Sequence, residues 1–493
     1  MKFLSLSFLL VTCGFAAQVG ITVLQTTDTH SSLTELERKG KSNFLQLATL
    51  IRQERAKDKE AILIDCGDCV QGSISSSMTS GMAGLEPIMA LPYDVWVPGN
   101  HELDFGVDMF DKYCLTLQEK LLCGNLHVKN GFEPRAWRII ERKGARIAVI
   151  GMSASYFKHW LLPQDYARLE CTMALAAIKK IMREVTAAKP DAIILAIHQA
   201  WFEGKDPRGV NEVNAIAAKF PELDLILGGH SHRSVPGVRI GKKTWYVQAG
   251  ALAQSLGVVK MIVDTNKHKV MSINSSLSVV NDKTPEDDEL KKSLEPRVEA
   301  TKAALAADTG ITIAKKISHE GKPGSGCETS ALIAAAIAES AGADVAFHSK
   351  LYDISIPAGK LELETLFWLV PYENRIVSFE ADAELLEKLM DEQLKHRNAY
   401  RYNGPWNMQF SIGQDGAKLL KICGKEPEAG RKWRVAFNSH AASGSGAFPL
   451  LQSIVEKNEC DVRISTTLTR EAVLEYLKAH QDKLDIEANW IVK

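Results

Sequence analysis

The chain has 493 residues, 45% of them apolar, and sets 59 Lys and Arg against 60 Asp and Glu for a net charge of −1. That length exceeds one ordinary hydrophobic core and predicts two domains. The neutral balance offers no global field for a nucleic-acid polymer or an anionic membrane surface, so any affinity for phosphate must be local.

In chain order, the first segment reads MKFLSLSFLLVTCGFAA: one Lys, an apolar stretch, then small residues. This is the pattern of a cleaved secretory signal over residues 1–17, with cleavage after Ala16 or Ala17 and a secreted, periplasmic or cell-surface destination. The apolar run is shorter than the ~20 residues a spanning helix needs, and no later segment is long enough, so no transmembrane segment is expected. Lipidation at Cys13 is the lesser alternative, because Thr12 is an unusual residue before a lipidated Cys. Eight cysteines then remain, with ~105 ways to pair, and sequence does not choose among them. Cys66 and Cys69 bracket Asp68 in a C-x-x-C spacing; with no second such pair, they read as loop packing rather than zinc or redox chemistry.

From residue 18 to about 280, apolar strand runs alternate with amphipathic helices, which predicts a layered α/β domain. NFLQLATLIRQERAK and MALAAIKKIMREVTAAK read as helices, and ARIAVIGM and DAIILAI as strands. A charged, helix-prone connector over 281–309 follows, with Thr284 and Pro285 suited to its start; it reads as a solvated linking helix. A second domain is expected over 310–493, with a helix in CETSALIAAAIAESAG and a strand in ADVAFHS.

Seven residues with metal-binding chemistry sit at the ends of five apolar runs. Asp28 and His30 follow ITVLQTT, Asp68 follows AILIDCG, Asn100 follows DVWVPG, His198 closes DAIILAI, and His230 and His232 follow DLILGG. Each fragment alone is a weak signal, but the ordered set on successive strand ends is specific, since ligands of open α/β sheets collect at that edge. A carboxylate is the group best able to bridge two cations, and Asp68 is the natural bridge. Asp28, His30 and His232 would complete one site; Asn100, His198 and His230 would complete the other, with His230 and His232 on an extended segment. The mixed Asp, Asn and His set suits two divalent ions of Zn, Mn, Fe or Co. A water shared by ions ~3.5–4 Å apart becomes hydroxide near neutral pH and attacks phosphorus in line. His101, on an extended segment beside Asn100, would point toward substrate, and Asp104 three residues on would orient its imidazole, a pair made to help the leaving oxygen depart.

On these motifs, the stretch from Asp28 to Gly257 resembles the calcineurin-like metallophosphoesterases, in the branch of 5′-nucleotidases and 2′,3′-cyclic-nucleotide 2′-phosphodiesterases. GNHELDFG and VQAGALAQSLG carry the likeness to that branch. The resemblance implies a layered β-sandwich flanked by helices, followed by an α+β domain that holds the nucleoside of a small-molecule nucleotide substrate. All seven ligand positions are present.

The second domain departs from the 5′-nucleotidase pattern. AFHSKLYDISIPAGKL stands where a loop with a substrate-binding arginine is usual, and ASGSGAF puts Gly446 where an Asp normally holds the ribose hydroxyls. VPYEN, PWNMQ and FNSHAASGSGAFP resemble the cyclic phosphodiesterases more closely, and by that likeness Trp406 and His440 would sandwich a base, beside Asn407. The expected activity is hydrolysis of 2′,3′-cyclic or 3′-nucleotides, with 5′-nucleotides also open. UDP-sugars or a non-nucleotide ester on the same site, or a nucleoside-binding protein without activity, are the alternatives.

Overall fold

The computed structural model describes residues 18–34, 36, 41–206, 209–321, 326–350, 352–396, 402–445, 448–481, 486 and 491–492; the expected signal segment 1–17, Cys13 included, and Gly446 lie outside them. Its first half is a sandwich of two sheets with helices on both outer faces. One sheet runs Lys269–Val279, Ser255–Asp264, Gln18–Thr26, Ile62–Asp65, Val95–Trp96; the other runs Ser234–Ile240, Thr244–Ala249, Leu225–Leu227, Ala192–Ile197, Ala145–Met152, Trp137–Arg142. Successive strand residues face opposite ways, so Val23, Ile62 and Ile64 meet Ile147, Val149 and Ile194 between the sheets. Leu24 and Leu63 face outward onto the helix Phe44–Lys57. Strands buried on both faces need continuous apolar runs, which is why they stand out in the sequence.

Parallel pairing then aligns the strand ends. Thr26 pairs with Asp65 and Asp65 with Trp96 in the first sheet. In the second, Met152 pairs with Ile197 and Ala196 with Leu227. All five motif-bearing loops therefore leave the sandwich at one edge.

The connector differs from expectation. Its helix spans Asp288–Ala306 and starts at Asp287, whose carboxylate accepts the Leu290 N–H at 2.8 Å. Thr284 instead closes a turn, accepting from the Asn281 N–H. Nor is the helix a free solvated link: Leu290 and Leu294 are buried in the first domain's core, and Arg297 pairs with Glu86 at 2.7 Å.

The second half is an α+β unit around a sheet ordered Asn403–Trp406, Val345–Ser349, Trp433–Asn438, Arg375–Ala381, Arg463–Leu468. Its faces differ in bulk. Phe347, Phe437 and Phe379 stack on one face, ring centres 5.4 and 5.7 Å apart and near parallel. Ala346 and Ala436 on the other let the alanine-rich helix Glu328–Ser340 lie close.

The two halves meet along the segment from Tyr156 to Tyr166. Leu162, from the first half, is 2% exposed within the second half's core. Asp165 pairs with Arg375, the Ser445 hydroxyl donates to the His159 carbonyl at 2.7 Å, and the Gln71 amide donates to the Pro371 carbonyl at 3.2 Å. Among the described residues no helix is long and apolar enough to cross a membrane.

Candidate metal centre

The aligned strand ends bring six ionisable side chains into two overlapping groups, each with its donor atoms within 4.8 Å of one another. Asp28, His30, Asp68 and His232 form one; Asp68, His198 and His230 form the other. Asp68 is common to both. Asn100 joins the second group, its Oδ1 2.8 Å from Nδ1 of His230.

The backbone at these positions is unusual. Asp28, His30, Asp68, His230 and His232 all have positive φ, between 49° and 74°. For residues other than glycine this conformation is uncommon and costs energy, and it clusters at functional sites. It also corrects the expectation that His230 and His232 lie on an extended segment. Left-handed turns are held in place by cross-strand bonds: the Asp28 N–H donates to the Gly67 carbonyl and the His30 N–H to the Asp68 carbonyl, at 2.8 and 2.9 Å.

The donor set fits cations, as one orphaned atom indicates. Nδ1 of His198 lies 2.6 Å from the Cys66 carbonyl, a bond that only an N–H can make, so Nε2 carries the lone pair in the neutral ring. That buried Nε2 makes no hydrogen bond, although Asp68 Oδ2 lies 3.0 Å away. His30 repeats the arrangement: Nδ1 faces the Gln71 carbonyl at 3.1 Å, and Nε2 points at Nε2 of His232 at 2.9 Å. Electron-rich atoms converge where a cation would reconcile them.

Burial pushes the Asp28 carboxyl up to about 7 and the His30 imidazole down to about 3, both toward neutrality. Burial also opposes charge on Asp68 and His198, but their mutual attraction wins: Asp68 is held well below the usual carboxylate range and His198 rises to about 9. Asp68 thus draws positive charge to Nε2 of His198, which a proton supplies without a cation and a cation would supply in its place.

His101 and Asp104 stand beside this centre. The segment is not extended: Asn100 has helical backbone angles, and His101–Leu103 is one 3₁₀ turn. Residues three apart eclipse in such a turn, so Nδ1 of His101 lies 2.8 Å from Oδ2 of Asp104. Burial opposes its charge, but Asp104 and Asp68 together raise the imidazole to about 10. Burial also raises Asp104 itself; for the pair we take His101 as the protonated member, because two carboxylates face it.

Glu102 received no role from the sequence, although it lies inside GNHELD. Fully buried, its carboxylate accepts the backbone N–H groups of Asp68 at 3.0 Å, Cys69 at 2.8 Å and Gly99. It ties the Asp68 loop to the Asn100 loop. The signal was its charge: a buried Glu must be paired or hydrogen-bonded.

The expected base clamp is not assembled. Trp406 pairs with Ala346 and Ala346 with Ala436, four residues before His440. The strand runs on from Ala436 to Asn438 before turning into the helix that carries His440, so Trp406 and His440 stand toward opposite ends of the sheet. Trp406 packs on the apolar cluster beneath the helix Glu328–Ser340. The Asn407 amide donates to the Asp344 carbonyl at 2.9 Å and toward Cys423 Sγ, in a left-handed turn. His440 alone of the three is at the end facing the first domain, on the short helix Ser439–Ala442.

Comparison with known proteins accords with this geometry. Residues 21–234 match the family model of calcineurin-like phosphoesterases, and residues 304–453 that of the 5′-nucleotidase C-terminal domain. The chain joins a calcineurin-like phosphoesterase domain to a 5′-nucleotidase C-terminal domain. The phosphoesterase edge is the one that carries all seven candidate ligands. A snake venom 5′-nucleotidase from Gloydius brevicauda is 25% identical over 309 residues, 56% of this chain and 50% of that protein. A 2′,3′-cyclic-nucleotide 2′-phosphodiesterase/3′-nucleotidase of Haemophilus influenzae is 23% identical over 251 residues, 46% of this chain and 38% of that protein. The alignments thus span half or less of these relatives. Two solved structures share the fold along nearly the whole chain. One, a Staphylococcus aureus protein crystallised with α-ketoglutarate, has TM-score 0.80 and 17% identity over 96% of this chain and 100% of that one. The other, a 5′-nucleotidase precursor from Thermus thermophilus, has TM-score 0.68 and 18% identity over 96% and 99%.

Proposed function

We propose that this chain is an exported, dimetal hydrolase of nucleotide phosphoesters, acting on 2′,3′-cyclic or 3′-nucleotides in preference to 5′-nucleotides. The observation that carries the reading is the sharing of Asp68 between two groups of converging donors. Asp28, His30, Asp68 and His232 would hold one cation, and Asp68, Asn100, His198 and His230 the other. Two divalent cations there supply positive charge for a phosphoryl group and lower the pKa of water to near neutrality.

The chain's own groups do the rest. His101, held by Asp104 through Nδ1, keeps Nε2 for substrate and can pass a proton to the leaving oxygen. The His101 backbone N–H donates to Asp68 Oδ1 at 2.8 Å, which ties the residue that carries the acid to the shared carboxylate. Glu102 fixes both loops by accepting their N–H groups. The preference for a cyclic phosphate follows from Gly446, which has no side chain to bond a free ribose diol; an unpartnered buried hydroxyl costs about 1–3 kcal/mol.

The test is a panel of 5′-AMP, 3′-AMP, 2′,3′-cyclic AMP and UDP-glucose, with Mn, Zn, Co or Mg added to chelated protein. Metal-restored turnover, fastest on the cyclic or 3′-nucleotide, is the expected result. Efficient 5′-AMP hydrolysis without cyclic activity rejects the preference, and activity surviving chelation rejects the metals. Export is checked by mass spectrometry of the mature chain, expected to begin near Gln18.

A further inference from the structure

Trp160 stands against the candidate centre with no task assigned above. It follows the 3₁₀ turn Phe157–His159, in the segment between the strand Ala145–Met152 and the helix Ala174–Ala187. The indole is half-buried. Phe157 packs edge-on against it, ring centres 5.7 Å apart at 87°, and it also lies on the first domain's core. Its ring centre is 5.3 Å from that of His230, tilted 44°.

His230 does not need the indole to fix its orientation. Its N–H donates to both oxygens of Asp28, at 2.9 and 3.1 Å, and its Nδ1 already meets Asn100. The segment that carries the indole is in turn held by the second domain as well. The residue before it, His159, accepts at its carbonyl from Ser445, and Leu162, two residues after it, is buried in the second core. Ser445 lies five residues beyond His440 in the second domain. A half-buried indole beside the candidate centre, backed by Phe157, is a surface of the kind on which a flat ring stacks.

We propose that Trp160 is the platform on which the substrate's nucleobase rests, the part expected of Trp406. The inference deepens the proposed function and depends on it. It makes Trp160 a specificity residue, acting on binding of the base and not on the phosphoester step.

The experiment compares full-length wild type, Trp160→Ala and Trp160→Phe, all metal-loaded, on 2′,3′-cyclic AMP and on base-free methyl riboside 2,3-cyclic phosphate. Trp160→Ala should raise KM for cyclic AMP about 5- to 100-fold with kcat within about twofold, leave the base-free substrate unchanged, and be largely rescued by Phe. Equal losses on both substrates, or a lost metal equivalent by elemental analysis, would make the indole a support for His230 and overturn the proposal. Calorimetric titration with adenosine gives a readout independent of turnover: weaker binding by Trp160→Ala is expected, and equal or absent binding in both proteins overturns it. A wild type that binds adenosine but hydrolyses neither ester refutes the proposed function alone.

Discussion

At the scale of single residues, the centre separates holding from reacting. Asp68 belongs to both donor groups, and its removal leaves neither complete. Asp68→Asn is expected to lose metal and activity together; normal metal content with near-normal turnover would refute the two-cation assignment. His101 is oriented by Asp104 through Nδ1 and stands edge-on to His30, ring centres 5.2 Å apart, outside both donor groups. His101→Ala should lower kcat by ~10²–10⁴ while both metal equivalents stay bound, as elemental analysis can verify. The identities of these residues were legible because their chemistry is rare at strand ends. Their backbone was not: nothing in DTH or GGHSH announces positive φ at non-glycine positions, since the turns are held by distant partners, Gly67 and Asp68 for Asp28 and His30, and the Asp28 carboxylate for His230.

At the scale of elements, the second domain's sheet carries its own ionisable group inside. His348, on the strand Val345–Ser349, is 1% exposed, its Nδ1–H donates to the Ser349 carbonyl at 2.7 Å, and burial pushes its imidazole down to about 4. The unfolded chain takes up that proton near 6.5 and the folded chain only near 4, so between these values the unfolded state binds more protons. Stability therefore falls as pH drops from about 6.5 to 4, by on the order of 3 kcal/mol from this residue. His348→Asn should flatten that slope in denaturant melts taken across the window; an unchanged slope would place the proton elsewhere. The sequence revealed this strand through its apolar run, and likewise the helix Glu328–Ser340. It failed at Trp406, because a resemblance between loops does not fix which end of a sheet a residue occupies. It failed too at the connector, where Leu290 and Leu294 look like scattered apolar residues among charges until the helix is laid on its neighbours.

At the scale of the whole molecule, the interface is more than two surfaces in contact. The chain sends one segment of the first domain, Tyr156 to Tyr166, into the second, with Leu162 as an apolar plug and Asp165 as a charged anchor to Arg375. Glu373 reaches the other way, accepting from the Ser77 hydroxyl at 2.5 Å while bound by Arg470. Each half thus carries a piece whose burial the other completes. The consequence is fragment complementation: residues 18–309 and 310–493, co-expressed as separate chains, should copurify as one particle with the metal centre intact. Leu162→Asp should abolish copurification of the fragments yet be better tolerated in the intact protein, where the covalent link keeps the effective local concentration of the halves in the millimolar range. Fragments that purify independently would mean that the plug contributes little. By this reasoning the covalent connection near Gly310 is dispensable for assembly, and the molecule is divisible in sequence without being divisible in space.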